Sequence, residues 1–109
     1  MNKKLFIVGG GPSGIELACK IKDIFKDQFE INVIEKSNEI LNKNKIFNRE
    51  QAEKALEKRK IHVLLNSRVK EVSETKIIID GEDGITSYEK KFFVILLKKI
   101  LIYSDLENH

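Results

Sequence analysis

Three observations predict an α/β fold built on a parallel sheet. A short apolar run, Leu5-Phe6-Ile7-Val8, opens straight into a glycine cluster, as a buried parallel strand does. From Ser13 the pattern changes to helical period. Leu17, Ala18, Ile21, Ile24 and Phe25 form one apolar stripe, and Glu16, Lys20, Lys22 and Lys26 face away from it. A second apolar run, Ile31-Asn32-Val33-Ile34, closes on an acid, Glu35. Strand, helix and strand at that separation make a βαβ unit, whose strands are parallel and whose crossover is right-handed.

The elements that follow are read in the same way. Lys36 to Ile46 is polar and rich in Asn and Lys, with Ile40-Leu41 as its apolar anchor, and is predicted to be a loop. Asn48 is placed to cap a second helix, with Gln51 three residues later closing a capping box. That helix turns Ala52, Ala55 and Leu56 inward and leaves Glu50 and Lys54 as an i,i+4 pair on the wet face. Ile61 to Leu65 is the third strand. Val69 to Val72 and Lys76 to Asp80, joined at Ser73-Glu74-Thr75, read as an antiparallel hairpin. Asp80 to Gly84 is a turn, and Phe92 to Leu97 is the last buried strand. Residues 1–97 are thus expected to form one domain. The tail, residues 98–109, has no assigned structure. Its apolar piece Ile100-Leu101-Ile102-Tyr103, behind Lys98-Lys99, is expected to be buried or frayed rather than to touch a membrane or partner.

The chain has 109 residues, enough for one compact domain, and its apolar content of 41% supports a modest aliphatic core. A balance of 20 basic and 17 acidic residues, interspersed, offers no patch for a nucleic-acid partner. Cys19 is the single cysteine, which excludes an internal disulfide and a CxxC redox pair. No run of about 18 apolar residues encodes a transmembrane helix. The charged start Met1-Asn2-Lys3-Lys4 is followed too soon by glycines and Pro12 to be a secretory signal. A cytoplasmic or organelle-matrix location is expected. Arg49, Arg59 and Arg68 are the only arginines among the basic residues, which reads as a compositional bias toward lysine.

Gly9-Gly10-Gly11-Pro12-Ser13-Gly14 satisfies G-x-G-x-x-G. The pattern alone is weak, but here a strand ends at Gly9, a helix begins near Pro12, and Glu35 closes the second strand 21 residues after Gly14. That context defines a Rossmann-type, three-layer nucleotide-binding domain, with an antiparallel hairpin or meander added. Gly9 permits the tight turn off the strand. Gly11 lacks the Cβ that would keep the backbone away from a pyrophosphate, and Gly14 lets the helix lie close on the strand. The free amides of the first helical turn would receive the phosphate charge, with Ser13 either donating to a phosphate or capping the helix. Glu35 would accept from the adenosine ribose hydroxyls, which favours NAD(H) over NADP(H). Its neighbour Lys36 is either a counterweight to that preference or a solvated lysine.

The run from Gly9 to Ala18, Gly-Gly-Gly-Pro-Ser-Gly-Ile-Glu-Leu-Ala, resembles the nicotinamide-nucleotide motif of the FAD-dependent pyridine nucleotide oxidoreductases, above all type II NADH dehydrogenases. Val33-Ile34-Glu35-Lys36 with Ile40-Leu41, Ala55-Leu56, and Ile61 to Val72 extend the likeness over roughly residues 4 to 97. The resemblance implies a domain that binds NAD(H) within an enzyme carrying FAD and reducing a quinone, peripherally bound to a membrane. It also implies that Glu16 points toward the flavin–nicotinamide junction. An exposed pair with Lys20 would explain Glu16 equally well. The family's small-residue and glycine turn after the last strand is missing at Leu96-Leu97-Lys98-Lys99, and no flavin-binding half precedes the domain. The chain therefore reads as an excised domain that needs a flavin-binding domain or subunit and is expected to lack turnover alone. Two other readings stand beside it. One is an FAD-binding module, because Met1 just before the first strand is where flavoproteins keep their FAD motif. The other is a non-catalytic nucleotide-binding or interaction fragment. His62 and His109 have no partners spaced for a metal or a triad, so no metal site and no catalytic residue is assigned.

Overall fold

A computed structural model describes residues 3–41, 46–89, 92–96 and 102–104. The elements run β1 (Lys3–Val8), α1 (Pro12–Phe25), β2 (Phe29–Ile34), α2 (Ile46–Lys58), β3 (His62–Leu64), β4 (Arg68–Val72), β5 (Ile77–Gly81), β6 (Gly84–Tyr88), β7 (Phe92–Leu96) and β8 (Ile102–Ser104). The main sheet has the order β3-β2-β1-β7-β8, with β4-β5-β6 as a separate antiparallel sheet. Strands β1, β2, β3 and β7 are mutually parallel, and β8 adds antiparallel to β7.

Alternation along β1 divides the interior in two. Leu5 and Ile7 join Ile31 and Val33 of β2 against Ile15 and Ala18 of α1 and Leu56 of α2. Phe6 points the other way, with Ile34, Phe92 and Val94, onto Ile77 and Ile79 of β5. The layers are therefore helices, parallel sheet and antiparallel sheet. Phe6 is fully buried, and its ring lies 5.1 Å from Tyr88 and 6.4 Å, edge-on, from Phe92. Burying such a side chain contributes about 1.5–3 kcal/mol, so this ring fastens three strands together.

Three local expectations are corrected. Ile24 and Phe25, assigned to the buried stripe of α1, are 69% and 40% exposed, and Ile15 is buried instead. Helix α1 ends at Phe25, whose ring packs on Phe29 of β2, and Lys26, with a φ of 54°, redirects the chain. Helix α2 begins at Ile46, so Asn48 lies within its first turn and is not its cap. Residues 84–88 were expected to lead from a turn to the last strand, yet they form β6, paired in register with β5 from Ile77↔Tyr88 to Gly81↔Gly84. Four of its five residues are exposed, so an edge strand of this kind carries almost no apolar alternation. The tail contributes β8, pairing Phe93↔Ser104 to Ile95↔Ile102. Leu97 to Leu101 and the residues after Ser104 lie outside the described residues.

Candidate functional site

The glycine turn sits at the carboxyl end of β1. The Gly9 amide donates to the Ile34 carbonyl at 2.8 Å, one step past the β1–β2 ladder, and its φ of 124° suits a residue without a Cβ. Gly10 is buried, and its amide donates to Oε1 of Glu35 at 2.7 Å. A Cβ at Gly10 would stand 2.8 Å from that same oxygen, so this contact requires glycine. Gly11 is different. It stands at the cap position of α1 with φ −83°, open to any residue, and a Cβ there would meet nothing within 4 Å. Pro12 occupies the first helical position, where its missing N–H costs nothing. The first intrahelical bond runs from the Ile15 amide to the Gly11 carbonyl at 3.1 Å, leaving the Gly11, Ser13 and Gly14 amides without intrahelical acceptors. Gly14 is buried, as close packing of α1 requires.

Glu35 follows β2 directly and is only 8% exposed. Its Oε1 accepts from Gly10 and its Oε2 accepts from the Ser37 amide at 2.8 Å. Its own amide donates to Leu64 at 2.9 Å, and its carbonyl accepts from the Ser67 amide at 3.0 Å. Burial pushes the carboxyl pKa up. The Ser37 and Gly10 amides, the Ser37 hydroxyl and the nearby Lys36 more than offset that and hold it below the usual carboxylate range. A carboxylate has about four acceptor positions, and the two backbone amides leave capacity for further hydroxyl donors. The sequence reading gave Glu35 a ribose alone. The structure adds a prior task, tying the glycine turn to the segment after β2, and thereby accounts for Gly10, for which the motif reading had no separate reason.

Pro12, Ser13, Glu16 and Lys36 are exposed. Ser13 lies inside the first turn of α1 and does not cap it, because Gly11 holds that position without a side-chain bond. Among the described residues no ion pair joins Glu16 to Lys20. Two further contributors belong to no sequence motif. The Leu41 amide donates to the Gly10 carbonyl at 2.8 Å, and Arg49 of α2 donates to the Ile40 carbonyl at 3.2 Å. Only long-range backbone contact reveals them. Grooves of about 250 and 420 Å³ flank β3, one toward the antiparallel sheet and one toward α2. Neither is lined by the glycine turn or Glu35.

A parallel sheet with a glycine turn after its central strand and an acid after the next defines a Rossmann-type α/β domain. The family profile described as pyridine nucleotide-disulphide oxidoreductase matches residues 1–96, and the chain belongs to that family. It is a pyridine nucleotide oxidoreductase domain related to NADH dehydrogenases. Demethylphylloquinone reductase NdbB of Synechocystis is 37% identical over 76 residues, covering 70% of this chain and 19% of that protein. NDH2 of Plasmodium falciparum, solved in complex with NADH, superimposes with a TM-score of 0.70 at 20% identity, covering 91% of this chain and 22% of that one. A 2-naphthoyl-CoA reductase superimposes at 0.73 and 21% identity, covering 94% and 15%. At those identities the superpositions speak for the fold, and the chain spans about a fifth of the curated relative it matches. No helix among the described residues is long and apolar enough to cross a membrane.

Proposed function

We propose that residues 1–97 form the NAD(H)-binding part of a flavoprotein NADH dehydrogenase of the quinone-reducing kind, and that Gly9 to Gly14 and Glu35 hold the ADP half of the dinucleotide. The observation that carries this reading is the empty space beside Gly11. Its backbone angles suit any residue and the fold leaves room for a side chain, so nothing within the fold accounts for glycine there, and the bare backbone leaves the approach open to a pyrophosphate. The free amides of Ser13 and Gly14, at the positive end of α1, give such a phosphate its donors. The residues present fit the group.

In this reading the chain's work is positional. The first turn of α1 fixes the pyrophosphate, and the ionised Glu35 fixes the ribose while rejecting a 2′-phosphate by like charge. Exposed Lys36 softens that rejection. Glu16, one turn into α1, takes in this reading the role toward the nicotinamide that its place in the motif implies. NADH supplies a hydride and FAD in the parent enzyme accepts it. No residue of this chain is given an acid or base role. The name of the Synechocystis relative supports a quinone as the parent's final acceptor, and the resemblance to type II NADH dehydrogenases implies peripheral membrane association of the parent.

Calorimetric titration of the 109-residue chain with NADH and with FAD tests the assignment. Saturable NADH binding with little affinity for FAD is expected. A protein that purifies yellow with stoichiometric FAD would make this an FAD-binding module instead, and binding of neither would leave an interaction domain.

A further inference from the structure

The segment after Glu35 is held in a closed ring. Its near end is fixed by the Ser37 amide on Glu35 Oε2, and its far end by the Leu41 amide on the Gly10 carbonyl. Gly10 closes the circuit by donating to Glu35 Oε1. The pyrophosphate turn and the ribose acid are thus two points on one ring, and a shift in the 37–41 segment displaces both. Leu41 is the weak point. Its φ of 51° is in the left-handed region that suits glycine and penalises leucine, so this backbone keeps its shape only under restraint from its surroundings.

Helix α2 supplies that restraint. Arg49 donates from Nε to the carbonyl of Ile40, the residue before Leu41, at 3.2 Å, and its Nη2 lies 3.2 Å from Oε1 of Glu39. The Arg49 side chain is 13% exposed and the Glu39 side chain 39%. Two contacts on consecutive residues use the planar fork of the guanidinium, which a lysine cannot reproduce. At the ring's other end the Asn66 amide donates to the Ser37 carbonyl at 2.9 Å. Ile40 itself is buried. We infer that Arg49 is a positioning residue for the dinucleotide site. It clamps Glu39 and Ile40 so that Leu41 keeps its left-handed turn and Gly10 and Glu35 stay in binding geometry. The inference rests on the nucleotide-binding reading for its consequence and on ring geometry for its mechanism, and the two are tested separately.

The mechanical part needs no nucleotide. In Arg49→Ala of the 109-residue chain, the Leu41 amide should exchange with deuterium about tenfold faster, while core amides such as that of Val33 keep their protection. The functional part is read by NADH fluorescence titration. Arg49→Ala should weaken binding by about tenfold, the scale of one charge-assisted contact. Because the displaced ring carries Glu35 as well as Gly10, the preference for NADH over NADPH should narrow in the same variant. Millimolar guanidinium should restore NADH affinity to Arg49→Ala and leave the unmutated chain unaffected, a rescue that general loosening of the fold would not show. If Arg49→Ala does not fold, Arg49→Lys replaces it, keeping the charge but not the fork. Weakened binding by the folded lysine variant supports the clamp, and full binding overturns it. Unchanged Leu41 exchange overturns the mechanism whether or not NADH binds. Unchanged NADH affinity in a folded Arg49→Ala overturns the positioning role. Failure of the unmutated chain to bind NADH counts against the nucleotide reading alone.

Discussion

The two ends of the parallel sheet are built from different materials. At the carboxyl end, β1 and β2 run out into backbone amides and one buried carboxylate. Gly9, Gly10 and Leu41 are held by hydrogen bonds across the gap between the strands, and Ser37 is held locally on Glu35. At the amino end the same strands begin in rings and an exposed ion pair. Phe29 packs edge-on against Phe25 at 5.5 Å and Phe93 at 5.6 Å. Lys4 bonds Glu30, and Lys3 lies over the Phe93 ring. The contrast follows from strand polarity. The carboxyl end faces the positive start of α1, so donors for an anion gather there, whereas the amino end closes with aromatic contacts and an ion pair. Binding and stability should therefore respond to different ends.

Gly11→Val tests that division most severely. A branched side chain fits the fold but occupies the approach of a pyrophosphate, so NADH affinity should fall on the order of hundredfold with the thermal midpoint unchanged. Equal binding in the folded variant would remove the carboxyl end from the site. Glu35→Gln should affect both properties, because one amide donor of the glutamine must then face a backbone N–H. An unmatched buried donor costs about 1–3 kcal/mol, and the preference for NADH over NADPH should narrow in the same protein. Circular-dichroism melting and paired titrations would show it. If stability fell with no change in nucleotide preference, Glu35 would be a structural tie only.

At the other end, Phe29→Ala should cost about 1–2 kcal/mol by the loss of a partly buried ring and leave NADH affinity intact in the folded fraction. An affinity loss would show that the ends are coupled. Acid titration gives a smaller effect. The Glu35 carboxyl titrates below its unfolded value, so its contribution is complete above the ordinary glutamate pKa of about 4.3 and is lost as pH falls through the folded value. Stability should be level from neutral pH down to about 5 and decline below that. The declining limb should be shallower in Glu35→Gln, with Glu30, also held low by Lys4, accounting for part of what remains. Lys4→Met, which breaks an exposed pair, should cost less than about 1 kcal/mol.

What the sequence made legible was whatever has a local cause. The βαβ order follows from changes in apolar period, and the place of Glu35 follows from its distance to Gly14. Ile24 and Phe25 were misassigned because period 3.6 says which side of a helix they occupy and nothing about how much of that turn the rest of the fold covers. Strand β6 was missed because its residues are exposed and its pairing partner, β5, supplies the cause of its structure. The ring through Gly10, Glu35, Ser37 and Leu41 is made mainly of main-chain groups, which every residue type has, so no residue identity betrays it. Arg49 had one faint signal. It is one of three arginines in a lysine-rich chain, and a second, Arg59, also spends its fork on two oxygens, those of Asp23 at 2.8 and 3.0 Å. Read by composition those arginines looked accidental. Their geometry says otherwise.

Strand β1 has neighbours from opposite ends of the chain, with β2 beginning at Phe29 and β7 pairing Lys4↔Phe92 through Val8↔Leu96. Contacts that distant close late and slowly, since the intervening chain must first be gathered. During synthesis the glycine turn and Glu35 precede residues 92–96, so their strand at first lacks its second flank. Until residues 92–96 leave the ribosome, β1 is an edge, with its inner apolar face half covered and its backbone free to pair elsewhere. The glycine turn of this domain is thus set only when β7 arrives, long after the turn itself has been made.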